Sequence, residues 1–340
     1  LDHAFQAKRA SCLVNPRACH ETELVLTVAP VLRRVAVVGA GPAGLAAATT
    51  AAKRGHKVTL FEADDQIGGQ FNYAKRIPGK EEFYETLRYF QRQIELLEVD
   101  LKLGTRVDAE SLKAQGFDDV VIATGVKPRT PSIDGIDHPK VLGYLDVLRH
   151  NKPVGKNVAV IGAGGIGFDV SEFLTHDFSH HPEGEQVSVA DWQAEWGVNP
   201  DFDGPGGLAE RQPTPSPRKI YLMQRKTGKV GGGLGKTSGW VHRNSLKHRE
   251  VEMLRGCRYE RIDDQGLHIS VTDKEGKVTE SRVLPVDNVI ICAGQEPLRE
   301  LFDQLSDSGV NTHLIGGADV AEELDAKRAI RQGTEVAAKL

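Results

Sequence analysis

An α/β chain of two nested strand–turn–helix folds is what the sequence predicts, and three observations carry that expectation. A short apolar strand, a glycine-rich turn and an alanine-rich helix follow one another in "RRVAVVGAGPAGLAAATTAAKRGHKVTLFEA". The same order returns far downstream in "KNVAVIGAGGIGFDVSEFL", and the two copies share V-A-V-x-G-A-G. Finally, "DDVVIATGVKPR" and "DNVIICAGQEP" each set an apolar strand before a small-residue glycine turn, one ahead of the second glycine unit and one behind it. Such an order is expected of a first domain that is split by an inserted second one.

Residues 1–30 mix cysteine, proline and charge without a period and read as an irregular lead-in. The split domain takes residues 31–150 and 290–340, and the insert takes 151–289. In the first unit Gly39, Gly41 and Gly44 form G-x-G-x-x-G between a strand at 35–38 and the helix. The first glycine permits a tight turn, the second lets backbone N–H groups approach a pyrophosphate, and the third allows close helix–strand packing. The helix N-terminus adds partial positive charge for the phosphates. Glu62 ends the next strand, near the offset at which an acid meets a ribose hydroxyl. Strand, turn, helix and acid together predict a nucleotide site of Rossmann type, against the blander alternative of a tight turn without a ligand.

Gly162, Gly164 and Gly167 repeat the spacing in the insert. The following strand is delayed by residues 175–217, rich in His, Pro and Gly, which read as a docking excursion or a mobile loop. It then appears as "KIYLMQRK" and ends in Gln224, Arg225 and Lys226, with no carboxylate. An acid there would repel a 2′-phosphate, whereas Arg and Lys pair with it, so the second site is expected to take NADP(H). Two basic residues ending an exposed strand are the ordinary alternative. Two nested dinucleotide folds suit FAD in the split domain and a nicotinamide in the insert, the layout of a flavoprotein reductase.

The composition excludes several other classes. With 340 residues, 39% hydrophobic and 26% charged, the chain reads as a two-domain globular protein. A net charge of -4 gives no reason to expect nucleic acid or an anionic membrane. No apolar run reaches the roughly 18 residues of a membrane span, and "LDHAFQAKRA" has no secretory apolar core. Four cysteines at irregular spacing favour a reducing cytoplasm. Disulfide reduction on this fold needs a C-x-x-C or similar dithiol. Cys257 and Cys292 are solitary beside strand-like sequence and read as buried structural thiols. In "KRASCLVNPRACHE", Cys12 and Cys19 are half a metal site, a redox pair or two inert thiols, and these residues alone leave that open. The chain opens on Leu1 rather than Met, which suggests a piece of something longer.

The segments "IGGQFNYAKRIPGKEEFYETLRYF", "IDGIDHPKVLGYLDVLR", "GLGKTSGWVHR" and "ICAGQEP" resemble the C-terminal half of the bacterial NADPH-dependent 2,4-dienoyl-CoA reductase family, and more loosely the trimethylamine and histamine dehydrogenases. The resemblance implies an N-terminal barrel that holds FMN and the 2,4-dienoyl-CoA. It also implies electron flow from NADPH to FAD, through a [4Fe–4S] cluster to FMN, and on to the thioester in unsaturated fatty acid β-oxidation. By position it implies FAD contacts at Gly39, Gly41, Pro42, Ala43, Gly44, Glu62, Gln70, Lys75, Val107, Thr124, Gly125 and Asp319. Asp319 would face the ribityl chain, or cap the following helix. NADPH contacts would be Gly162, Gly164, Gly165, Gly167, Arg225, Lys226 and Lys236. Trp240 would stack on the nicotinamide or gate the flavin, unless it is a packed loop anchor. Cys12 matches the fourth cluster ligand, with three partners expected before Leu1 and Cys19 a bystander; a single thiolate does not hold a four-iron cluster. No side chain here is expected to act as a catalytic acid or base, because hydride transfer needs alignment and exclusion of water. The competing readings are an amine dehydrogenase half that binds only ADP, and a non-catalytic nucleotide-binding scaffold.

Overall fold

The computed structural model describes residues 3–178, 187–306, 309–321 and 325–340. The chain divides into two compact units, one of Leu1–Ala74, Glu82–Lys127 and Gln295–Leu340, the other of Lys75–Glu81 and Pro128–Gly294. Residues 128–150 and 290–294, assigned from sequence to the split domain, thus fall in the second unit. The reason is pairing: the Val141–Gly143 strand runs parallel to Asn288–Ile291, which in turn pairs with Asn157–Ile161.

The first unit is built on a parallel sheet in the order Asn311–Leu314, Asp119–Ile122, Arg34–Val38, Lys57–Phe61, Asp100–Lys102. Parallel strands covered on both faces read as continuous apolar runs, and Val35, Ala36 and Val37 are fully buried. The Pro42–Lys53 helix packs on one face, its alanines letting a neighbour come close. The C-terminal Ala326–Ala337 helix is that neighbour, at a crossing so tight that a Cβ on Gly333 would lie 2.2 Å from the Ala43 carbonyl oxygen. At the amino end of the sheet, away from the glycine turn, the fully buried Asp119 accepts from Arg33 at 2.8 Å and from His313 at 2.9 Å.

The second unit repeats the plan with Val141–Gly143, Asn288–Ile291, Asn157–Ile161, Lys219–Met223 and Glu252–Leu254, again all parallel. An antiparallel meander of Cys257–Asp263, Gly266–Thr272 and Val278–Leu284 covers one face. Its inward residues Ile262, Leu267, Ile269 and Leu284 share a core with Ala159, Ile161, Met223 and Val289. At about 1.5–3 kcal/mol for each large apolar side chain removed from water, this layer is a main source of the unit's cohesion. Among the described residues no helix is long and apolar enough to cross a membrane.

Candidate functional site

In the first unit the strand Arg34–Val38 ends on Gly39, whose φ of 103° suits only glycine, and whose N–H donates to the Phe61 carbonyl at 2.8 Å. A Cβ on Gly39 would lie 2.4 Å from the Ala123 carbonyl oxygen, and one on Gly44 would lie 1.8 Å from the Gly39 carbonyl oxygen. These two glycines are therefore required by packing. Gly41 differs: its φ of -77° suits any residue and nothing lies within 4 Å of a Cβ placed there. It is the N-cap of the Pro42–Lys53 helix, no side chain caps it, and Pro42 opens the helix. An open space before an uncapped helix N-terminus fits a pyrophosphate, with the backbone at Ala43 and Gly44 facing it.

Glu62 follows the second strand and brackets the turn, accepting from the Ala40 N–H at 2.7 Å and the Asp64 N–H at 2.9 Å. Its two oxygens keep lone pairs for ribose hydroxyls. The loop behind it leans on the same turn. Gly68 N–H donates to the Ala40 carbonyl at 2.8 Å, and a Cβ on Gly69 would come 3.0 Å from the Gly41 Cα. Gln70 is half-buried there and its carbonyl accepts from Tyr73 and Ala74, starting the Phe71–Ala74 turn of helix. Val107 packs against the core cluster that includes Phe61 and Ile122. The Thr124 hydroxyl donates to the Leu298 carbonyl, and Gly125, at φ 78°, accepts the Leu298 N–H at 3.0 Å. Lys75 opens the Lys75–Glu81 segment, which groups with the second unit. There Lys80 pairs with Asp169 at 2.7 Å, and the Arg76 guanidinium lies over the Phe173 ring.

Asp319 closes a short 3₁₀ turn, Gly316–Ala318, and accepts from the Gln332 amide at 2.7 Å. The other end of that amide accepts the Gly316 N–H at 2.8 Å. Asp319 does not cap the following helix. Asp325 does so, accepting the Arg328 N–H at 2.6 Å. The sequence reading missed Asp325 and Gln332, although an Asp just ahead of the periodic Ala326–Ala337 segment was a readable N-cap signal.

The second turn matches the first closely. Gly162 has φ 111° and a Cβ there would lie 2.4 Å from the Cys292 carbonyl oxygen; on Gly167 it would lie 1.7 Å from the Gly162 carbonyl oxygen. Gly164 and Gly165, the cap and first residue of the Gly165–Thr175 helix, face open space. Arg225 and Lys226 follow the Lys219–Met223 strand and are both exposed. Among the described residues neither pairs with a carboxylate. Lys236 is exposed in the loop before the Gly239–His248 helix, while Trp240 lies on that helix and is 53% exposed, so it is not a packed loop anchor. His242, two residues on, is held below the ordinary histidine range by burial and by Lys80.

In the 175–217 excursion, the histidine-rich 179–186 stretch lies outside the described residues. Beyond it, Ser188 caps a Val189–Trp196 helix whose Glu195 reaches Arg249 at 2.8 Å. Arg249 in turn lies 3.9 Å from Glu172, whose carboxyl burial pushes up to about 6 despite hydrogen bonds from Ser245 at 2.9 and 3.0 Å. The excursion is therefore fastened to its own unit by ions.

All four cysteines are free, Cys257 and Cys292 buried, Cys12 and Cys19 exposed. Burial pushes the Cys257 thiol up to about 11 and raises Cys292 further, so neither is a ready thiolate. Among the described residues no three His, Cys, Asp or Glu side chains form a metal-binding group. Cys12 has no co-ligand there.

Comparison with known proteins agrees with this geometry. The profile of the pyridine nucleotide-disulphide oxidoreductase family matches residues 33–329. The chain is 31% identical over 322 residues to a metal reductase of Desulforamulus reducens, covering 94% of this chain and 46% of that protein. It is 30% identical over 328 residues to a bilirubin reductase of Mediterraneibacter gnavus, covering 96% and 44%. Among solved structures, 2-naphthoyl-CoA reductase in complex with 2-naphthoyl-CoA superposes with a TM-score of 0.81 at 26% identity, over 99% of this chain and 44% of that one. A histamine dehydrogenase from Rhizobium sp. 4-9 shares the fold, with a TM-score of 0.74 at 21% identity over 99% of this chain and 49% of that one. The chain spans less than half the length of the curated relatives it matches.

Proposed function

The chain belongs to the pyridine nucleotide-disulphide oxidoreductase family, and from that premise we propose that it is the NADPH-oxidising, FAD-reducing part of a two-part flavoprotein reductase acting on a CoA thioester of the 2,4-dienoyl type. When bound, FAD would supply the hydride-accepting chemistry that NADPH oxidation requires. The chain's own residues bind and orient. Gly41 and the helix after it receive one pyrophosphate, Glu62 a ribose, and Gly164 with Gly165 the second pyrophosphate. Arg225 and Lys226 take the adenosine 2′-phosphate.

The observation that carries the reading is that pair of exposed cations, without a carboxylate partner among the described residues, at the strand end where an NAD site would hold an acid. A nucleotide-binding half that never met an adenosine 2′-phosphate would leave them without an anion. The thioester class draws support from the naphthoyl-CoA reductase, whose solved complex contains a CoA thioester. FMN, the dienoyl-CoA and a [4Fe–4S] cluster with Cys12 among its ligands are assigned to the longer protein, where the remaining ligands would have to lie. The family's disulphide chemistry is not proposed for this chain, because its two buried thiols are solitary and its two exposed ones lie in the lead-in.

The test is an Arg225→Ala, Lys226→Ala double variant, assayed for dye reduction with NADPH and with NADH. At about 1.5–3 kcal/mol for each charge-assisted bond, NADPH affinity falls by two orders of magnitude or more while NADH is little changed. An unaltered NADPH preference would overturn the assignment.

A further inference from the structure

A third cation stands at the carboxyl end of the second sheet. Gln224 N–H donates to the Leu254 carbonyl at 3.0 Å, Gly256 N–H to the Lys226 carbonyl at 3.0 Å, and Cys257 N–H to the Gln224 carbonyl at 3.0 Å. These bonds hold residues 224–226 against 254–257, and the register that pairs Met223 with Leu254 carries Arg255 to the position opposite Gln224, at the strand end that Arg225 and Lys226 follow. Arg255 is exposed, like Arg225 and Lys226, and among the described residues none of the three pairs with a carboxylate. The turn that carries them is fixed from within, since the Gln224 side-chain amide donates to the Lys226 carbonyl at 3.0 Å and the Gly228 carbonyl at 2.9 Å. Like charges set side by side repel. Three of them on a hydrogen-bonded frame, with no counter-charge of their own, form a site awaiting an anion.

The geometry points to Arg255 as a third cationic ligand of the adenosine 2′-phosphate, and so as a residue that sets NADPH over NADH. The inference rests on the second site being an NADPH site. Its chemistry is that of a phosphate monoester, which carries about -1.5 to -2 charge and three acceptor oxygens at neutral pH. One guanidinium offers a planar fork to two of those oxygens, leaving the third to Arg225 and Lys226. Arg255 contributes no carboxylate pairing to the fold, so its replacement leaves the protein folded.

The experiment compares the flavin-loaded chain with its Arg255→Gln and Arg255→Lys variants. Binding of 2′,5′-ADP and of 5′-AMP is measured by calorimetry, and dye reduction is followed with NADPH and NADH. Arg255→Gln should weaken 2′,5′-ADP about tenfold, the low end for one charge-assisted bond, and change 5′-AMP and NADH less than about twofold. Arg255→Lys should recover part of the loss. Equal weakening of both nucleotides would make Arg255 merely structural, and no weakening would remove it from the site. The Arg225→Ala, Lys226→Ala variant separates the two levels. If it loses 2′,5′-ADP while Arg255→Gln does not, only the Arg255 proposal falls; if neither loses it, the NADPH reading falls as well.

Discussion

Replacing Gly41 and Gly44 by alanine should have opposite effects on stability, although both belong to one motif. At Gly44 the new Cβ would lie 1.8 Å from the Gly39 carbonyl oxygen and 3.2 Å from the Ala123 Cβ. The turn must shift by more than an ångström against a buried strand, and overpacking of this kind costs about 3 kcal/mol. For a unit of this size that is a fall in Tm of about 6–12 °C. At Gly41 the φ of -77° is ordinary and nothing lies within 4 Å of the Cβ. Alanine there restricts the unfolded chain and should stabilise the flavin-free protein by about 0.4–1 kcal/mol. The same methyl occupies the space through which the pyrophosphate approaches, so FAD affinity should fall at least tenfold, about the loss of one charge-assisted bond. The assay is thermal unfolding of the flavin-free protein beside an FAD titration of each variant. If Gly41→Ala binds FAD as the parent does, the phosphate does not lie where the turn suggests. If Gly44→Ala melts with the parent, packing is not why glycine is there.

Three further outcomes are expected. Burial opposes ionisation of Asp119, but hydrogen bonds from Arg33 and His313 outweigh it and hold the carboxyl below its ordinary 3.8. Its stabilisation is therefore present above that value and lost as pH falls through the folded pKa. Asp119→Asn should cost about 3 kcal/mol in urea unfolding at neutral pH and progressively less as pH falls below 3.8, and an acid-independent penalty would refute this. Glu172 has the opposite sign. Burial raises it to about 6 from 4.5, so its favourable contribution is complete below 4.5 and lost as pH rises through 6. Glu172→Gln should accordingly gain about 2 kcal/mol over the parent at pH 8 and nothing at pH 4; a variant that is less stable at pH 8 would count against it. Cys12 is exposed, so Cys12→Ser should leave both melting and NADPH oxidation by this chain as they were, and a loss of either would give that thiol a role in this chain.

Both glycine turns were legible because backbone geometry dictates them. No other residue tolerates φ 103° at Gly39 or φ 111° at Gly162 with a carbonyl packed where a Cβ would stand. The parallel sheets were legible in their unbroken apolar strands. The unit boundaries were not, because the three-residue strand Val141–Gly143 has no local signal and is defined by a partner at 288–291. That Lys75–Glu81 groups with the second unit was hidden for a similar reason. The segment is held by Lys80–Asp169 and by Arg76 over Phe173, contacts far apart in sequence. Gly333 reads as an ordinary helical glycine until the Ala43 carbonyl is found 2.2 Å from where its Cβ would be. Arg255 escaped notice because only strand pairing brings it opposite Gln224, at the same sheet end as Arg225 and Lys226. By contrast Ser188 and Gly197, which cap the excursion's helix at its two ends, were ordinary local signals that composition obscured.

The central claim is that one chain carries an FAD site and an NADPH site that work together. An anaerobic titration of the FAD-loaded chain addresses it directly, following the flavin's visible absorption as each nicotinamide is added. One equivalent of NADPH should bleach the flavin, and NADH should need far more to do the same. A flavin that stays oxidised with excess NADPH, or that responds to both nicotinamides alike, would contradict it.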